Sequence, residues 1–139
     1  MKIQYASDLH LEFKTNNDFL EANPLPPIGD YLVLAGDITY FNEEYFKNAF
    51  FDRVSKDFKE DFIVPGNHEY YYEFDLGQHE EPFINSIRPN VHFINNMVKS
   101  IDGVDFIFTT LWSKLDPYYK YPIVNGMNDF HLINHNGKT

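Results

Sequence analysis

Within its first 66 residues the sequence alternates strand, loop, strand, helix and strand, and that order constrains the fold more than any other feature. Ile3–Ala6 is a short apolar run, and Tyr31–Ala35 is a continuous one bounded by Asp30 and Gly36, so both read as buried strands. The stretch 23–29 between them carries Pro24, Pro26 and Pro27, which fix φ and remove donors, and reads as loop. Over 43–58, apolar side chains recur at Phe46, Phe50, Val54 and Phe58 as a helical stripe, and Asn42 followed by Glu43 and Glu44 suits a helix start. Residues 62–64 supply a third strand that stops at Pro65-Gly66. Such alternation favours a parallel α/β sheet.

The second half is patterned less sharply. Pro82 suits the first turn of a helix over Phe83, Ile84 and Ile87, closed by Pro89. Residues 91–94 read as a strand. Met97–Ile101 and 104–110, joined through Asp102-Gly103, read as a hairpin, because a type I′ turn needs φ > 0 at both central positions. After Trp112 the chain is loop-like until 129–133, which reads as a strand, and Asn136-Gly137-Lys138-Thr139 has the composition of a turn. No repeat, low-complexity tract or linker divides the chain, so a single domain over 1–139 is expected.

Charge narrows the choice of partner. Asp and Glu number 21 against 11 Lys and Arg, a formal net charge of -10, which disfavours a nucleic-acid backbone and favours cations. The 43% hydrophobic content, with 14 Phe and 10 Tyr, supplies a core and argues against disorder. The absence of cysteine excludes a disulfide scaffold, a thiolate metal site and a thiol nucleophile. No run approaches the ~18 apolar residues that cross a bilayer, and no apolar signal core follows Lys2, so the reading is a soluble cytoplasmic protein with no membrane partner.

In an open parallel sheet, ligands collect beyond the carboxyl ends of the strands. The first strand runs into Ser7-Asp8-Leu9-His10, where extended geometry would project Asp8 and His10 to one side and let them grip one cation. The second runs into Gly36-Asp37, with the glycine permitting a close turn, and the third into Pro65-Gly66-Asn67-His68-Glu69. Alone, each has a plainer reading as a turn or helix cap. In order, each directly after a strand, they bring Asp, His, Asp, Asn and His to one rim of one sheet.

The ordered set Asp8-Leu9-His10, Gly36-Asp37 and Gly66-Asn67-His68-Glu69 resembles the calcineurin-like metallophosphoesterase family. Ser7-Asp8-Leu9-His10-Leu11-Glu12, Leu34-Ala35-Gly36-Asp37-Ile38, Val64 through Tyr71, and Thr110-Leu111-Trp112 resemble a bacterial branch of it. The resemblance runs the length of the chain. It implies an α/β fold of two stacked mixed β-sheets flanked by helices, with this chain as the amino-terminal half. It also implies a phosphoesterase that hydrolyses a phosphate mono- or diester with a metal-bound hydroxide at a dinuclear site. On that resemblance Asp8 and His10 hold one metal, Asp37 bridges both and Asn67 holds the second. His68 contacts the phosphate or protonates the leaving oxygen, so Asn67 and His68 form the substrate-binding pair. The chemistry is consistent: two cations about 3.5–4 Å apart polarise a phosphoryl oxygen and acidify a bridging water. An imidazole with an ordinary pKa of about 6.5 can donate to a leaving alkoxide. Imidazole, carboxylate and amide ligands together suit Mn, Fe or Zn better than Ca or Mg, with Mn the first expectation.

The resemblance further implies a later strand ending in histidine and a Gly-His-x-His motif, yet the sequence has no Gly-His dipeptide. His79 lies in a polar segment and reads as solvated surface, and His92 as a sheet-surface side chain. His131 and His135, spaced i, i+4, read as strand and turn residues rather than a helical metal pair. The first metal then keeps three ligands and the second only Asp37 and Asn67, fewer than the three or four protein ligands of a stable site. Weak binding at the first site, near-empty occupancy at the second and little activity follow as expectations, as does a chain truncated relative to the family. The competing reading is a non-catalytic metal-binding fragment or degenerate relative that needs a partner for its missing ligands. An incomplete core would also invite self-association. Tyr70, Tyr71, Tyr72 and Trp112 either line the entrance for a small phosphoester substrate or pack a loop against the sheet.

Overall fold

The structure is a computed structural model that describes residues 1–72 and 74–137. β1 (Ile3–Ala6), β2 (Tyr31–Ala35) and β3 (Glu60–Val64) pair in parallel, with Ile3 opposite Tyr31 and Tyr31 opposite Glu60. Beyond β3, β4 (Phe83–Arg88) and β5 (Val91–Asn95) complete a five-stranded sheet in the order β1-β2-β3-β5-β4. β5 is parallel to β3, whereas β4 runs antiparallel to β5 and makes the sheet mixed. The helices are α1 (Lys14–Ala22), α2 (Glu43–Phe46), α3 (Ala49–Asp57), α4 (Lys120–Gly126) and α5 (Asp129–Leu132).

Three sequence expectations are overturned. The helix over Phe83, Ile84 and Ile87 is instead β4, with Phe83 opposite Asn95 and Ile84 opposite Ile94. Pro82 and Pro89 flank this edge strand without interrupting its ladder, so they are compatible with a sheet as well as with a helix start. The strand expected over 129–133 is the short helix α5, and only Ile133 keeps a strand-like bridge, to Tyr71. The helix expected over 43–58 is divided in two. Asn48 is non-helical at φ -56 and ψ 133, and its side chain accepts from the Phe50 N–H at 2.9 Å, which starts α3 afresh. The apolar stripe survives the break: Phe50, Val54 and Phe58 are buried and Phe46 packs against them. α1 had no counterpart in the sequence reading, because it buries no residue and has no apolar stripe to betray it.

The sheet carries a core on each face. Leu32, Leu34, Ile63 and Phe93 pack toward Phe50, Phe51 and Val54 of α3. On the opposite face, Tyr31, Phe62 and Ile94 pack against Phe108, with Met97, Ile101 and Phe106 around them. These last residues belong to a second sheet, the hairpin of β6 (Met97–Ile101) and β7 (Val104–Phe108). Its turn residues Asp102 and Gly103 sit at φ 51 and 78, as a type I′ turn requires. Each large apolar side chain buried in this way contributes about 1.5–3 kcal/mol. The layering is the one expected: two stacked sheets with helices outside. Asn136 and Gly137 turn at positive φ, while Lys138 and Thr139 lie outside the described residues. Among the described residues, no helix is long and apolar enough to cross a membrane.

One buried carboxyl group makes the stability of this arrangement depend on pH. Asp61, on β3 between Leu32 and Val91, is fully buried, and neither of its carboxylate oxygens has a hydrogen-bond partner. Burial, helped by the charge of Asp57, pushes its pKa from the ordinary 3.8 up to about 8. The folded chain keeps this proton where the unfolded chain has lost it. The associated stability is therefore complete below about pH 4 and is lost as pH rises through about 8. Asp61→Asn should flatten that fall and raise the melting temperature at pH 8 by several degrees, which thermal melts across the range would measure.

Candidate metal centre

The loops leaving β1, β2 and β3 are laced together by their backbones. The N–H groups of Asp8, His10 and Leu11 donate to the carbonyls of Gly36, Asp37 and Ile38 at 3.0, 3.0 and 2.8 Å. Glycine makes the next approach possible: a Cβ on Gly36 would lie 3.0 Å from Gly66 Cα, and one on Gly66 would lie 2.3 Å from Asp37 Oδ1. Glu69 then ties the second loop to the third. Its side chain is fully buried, and it accepts from the N–H groups of Asp37 (3.0 Å), Ile38 (2.7 Å), Thr39 (3.4 Å) and Gly66 (2.7 Å). Burial pushes this carboxyl up to about 7, with the Asp37 charge adding and the backbone donors opposing. The sequence reading quoted Glu69 in its motif without giving it a role.

The extended geometry expected for Asp8 and His10 is not what brings them together. Asp8, His10 and Asp37 all adopt left-handed backbone, at φ 57, 48 and 57, each at a cost of about 1–2 kcal/mol. The interloop hydrogen bonds hold them there. As a result ligand atoms of Asp8, His10 and Asp37 lie within 4.8 Å of one another, and those of His10, Glu12 and His68 form a second such group.

Glu12, absent from the expected site, ties His68 to His10, the residue common to the two groups. Its side chain is 2% exposed, and Oε1 accepts from His10 Nδ1 at 3.0 Å and His68 Nδ1 at 3.1 Å. An ionised carboxylate only accepts, so both Nδ1 atoms carry the proton and each Nε2 is left with its lone pair. The only hint in the sequence is a carboxylate between the apolar Leu11 and Phe13. Asn67 is fixed from another direction. Its amide nitrogen donates to Asp129 Oδ1 at 2.8 Å and to Tyr71 Oη at 3.0 Å, which occupies the nitrogen and leaves the carbonyl oxygen as the acceptor end of the side chain. Tyr71 donates to the same Asp129 oxygen at 2.7 Å, and burial raises its hydroxyl pKa. Asp129 was also missed, being 62 residues from Asn67 in a segment that reads as a strand. His68 completes the set by donating its backbone N–H to Asp37 Oδ1 at 3.0 Å.

The remaining histidines stand elsewhere. His79 is not solvated surface: its ring stacks on Phe83 at 3.6 Å between centroids and touches Phe41 and Phe74, and burial pulls its pKa down to about 4. Phe41 comes from a distant segment, and Phe74 and Phe83 flank the polar stretch around His79 without any periodicity that points them at it. His92 hydrogen-bonds Ser86 on the sheet surface, His135 pairs with Glu80, and His131 is exposed on α5. Of the tyrosines, Tyr70 packs in the core, Tyr71 stacks on His68 with centroids 4.5 Å apart, and Tyr72 is exposed. Trp112 lies 6.2 Å from Tyr70.

The donor set fits a divalent cation. Two carboxylates and an imidazole converge, and the buried Glu12 Oε2 beside them has no hydrogen-bond partner. A model of the calcineurin-like phosphoesterase family matches residues 1–138. The chain belongs to the calcineurin-like phosphoesterase family. Members of this family bind divalent metals, and Asp8, His10 and Asp37 are this chain's candidate ligand group. The chain is 32% identical over 144 residues to an uncharacterized protein of Acanthamoeba polyphaga mimivirus, a match covering 94% of this chain and 51% of that protein. Its fold is similar to that of phosphopantetheinyl hydrolase from Mycobacterium tuberculosis, with a TM-score of 0.61 at 17% identity, over 97% of this chain and 55% of the other. The chain thus spans about half the length of each.

Glu69→Ala should remove the acceptor of four N–H groups at once. A loss of about 2–4 kcal/mol is expected in urea unfolding, since each unsatisfied buried donor costs about 1–3 kcal/mol before relaxation.

Proposed function

We propose that this chain carries the phosphate-handling rim of a metal-dependent phosphoesterase that hydrolyses a small phosphate mono- or diester. The observation that supports this most is the convergence of Asp8, His10 and Asp37 beside Asn67 and His68. Asp8 and His10 would hold a first divalent ion through their carboxylate and Nε2, Asp37 would be shared, and the Asn67 carbonyl oxygen would serve a second. Bound ions would polarise the phosphoryl oxygen and acidify a water between them. Mixed oxygen and nitrogen donors suit Mn, Fe or Zn, with Mn first.

The chain's own residues supply the rest. Asn67, clamped by Asp129 and Tyr71, keeps its amide from rotating, so its oxygen stays toward the rim. His68, with Nδ1 on Glu12, offers Nε2 to the phosphate, and in its protonated form hands a proton to the leaving oxygen. Glu12 fixes the tautomers of His10 and His68 together, so the ligand and the proton donor are aligned by one carboxylate. Asp8, Glu12, Asp37 and Asp129 would repel a phosphate, so binding of the substrate should depend on the cation.

A second reading has its own support. Among the described residues, only Asp37 and Asn67 are proposed for the second ion, while His79, His92 and His135 are engaged elsewhere. That donor set favours a weakly held second ion, and with it a metal-binding fragment of low activity that depends on further ligands. Turnover of para-nitrophenyl phosphate and its bis-ester with added Mn separates the two. Mn-dependent hydrolysis reduced about a hundredfold or more by Asp37→Asn and by His68→Ala is the expected outcome. No Mn-dependent turnover at high protein concentration would favour the fragment.

A further inference from the structure

Next to His68 the surface opens into a cavity of about 230 Å³ walled by Tyr40, Phe41, Asn42, Tyr45, Tyr71 and Tyr72. Two of its walls, Tyr71 and Tyr40, also face the His68 ring of the candidate centre. Tyr71 stacks on the His68 imidazole with centroids 4.5 Å apart, and Tyr40 lies nearly parallel to it at 6.3 Å. Tyr40 in turn meets Tyr45 and Tyr72 edge to face, at 5.4 and 5.5 Å. Tyr72 reaches this cluster from a left-handed backbone, at φ 70, which a bulky side chain adopts only under constraint. Its N–H is pinned to the Leu132 carbonyl at 2.8 Å, and its ring remains exposed. A strained tyrosine held open beside an aromatic wall is unlike a side chain packed to fill a core.

Size, charge and shape each narrow the guest. A cavity smaller than the usual several hundred Å³ of a ligand site admits one compact ring system. Among the described residues none of the lining side chains is charged, and Glu12 lies on the His68 side, so an anionic group would find repulsion and no counter-ion there. Aromatic faces and edges reward a flat π-system over a branched aliphatic chain. Building on the phosphoesterase reading, we infer that this cavity is the leaving-group pocket of the site and takes an uncharged planar ring, an aryl group or a nucleobase, carried by the phosphoester.

Two arms test this on the whole chain. The first needs no turnover: phenol, adenosine and cyclohexanol are titrated separately while the tyrosine ring resonances are followed by NMR. Saturable shifts of the Tyr45 and Tyr72 rings with phenol or adenosine, and none with cyclohexanol, are expected. The tighter of the two names the source of the ring. Equal response to cyclohexanol, or no shift at these rings with either aromatic probe, would overturn the pocket. The second arm measures kcat/KM for phenyl phosphate relative to methyl phosphate. That ratio should fall about tenfold in Tyr72→Ala and in Tyr45→Ala, the scale of one lost stacking contact, and be restored in Tyr72→Phe. A ratio unchanged in both alanine variants would also overturn it. Ring binding without any hydrolysis would uphold the pocket and sink the phosphoesterase reading instead.

Discussion

The buried carboxylate of Glu69 is the interaction on which the rim depends. One side chain accepts from four backbone N–H groups on two loops, Asp37, Ile38 and Thr39 after β2 and Gly66 after β3, in a place no water reaches. A buried amide without an acceptor is costly, so these loops have little choice but to stay in register. That register brings Gly36 against Gly66, where no Cβ fits, and aims Asp37 between the first and third motifs. It also fixes the loop after β1, whose backbone donates to the same β2 loop. The left-handed conformations of Asp8, His10 and Asp37 are the local consequence of this tertiary constraint.

Around that frame the charges are arranged to need a cation. Asp8, Glu12, Asp37 and Asp129 are linked through the contacts of His10, His68 and Asn67, and among the described residues no Lys or Arg takes part in those contacts. Two imidazoles share one Glu12 oxygen, which sets both rings in the same tautomer. The aromatic wall begins at the His68 ring, so a charged, metal-dependent region and an uncharged, flat one adjoin across a single side chain. This division of labour suits a phosphoester, whose phosphate and leaving group differ in the same two respects.

The sequence disclosed the parts of this design that are local. Strands β1, β2 and β3 declared themselves as apolar runs, the β6–β7 hairpin through Asp102-Gly103, and the rim through three polar motifs following three strands. What it concealed depends on partners far away in the chain. Glu12 gains its role only when His68, 56 residues on, folds beside it, and Asp129 only when α5 meets Asn67. His79 sits in polar sequence but is enclosed by the distant Phe41 together with Phe74 and Phe83 on either side of it. β4 was misread because prolines at both ends serve an edge strand as readily as a helix, and α1 because nothing on it is buried. The family resemblance supplied roles for Asp8, His10, Asp37, Asn67 and His68, and the geometry brings those five residues to the same rim.

The central claim is that these loops make a cation site from Asp8, His10 and Asp37. Titrating the purified chain with Mn(II), and following free ion by electron paramagnetic resonance, tests it most directly. The account predicts saturable binding of one ion per chain, weak, with a second barely occupied, and loss of the first in His10→Ala and in Asp37→Asn. No saturable binding, or binding that survives both substitutions, would contradict it, and two tightly held ions per chain would contradict the weak second site.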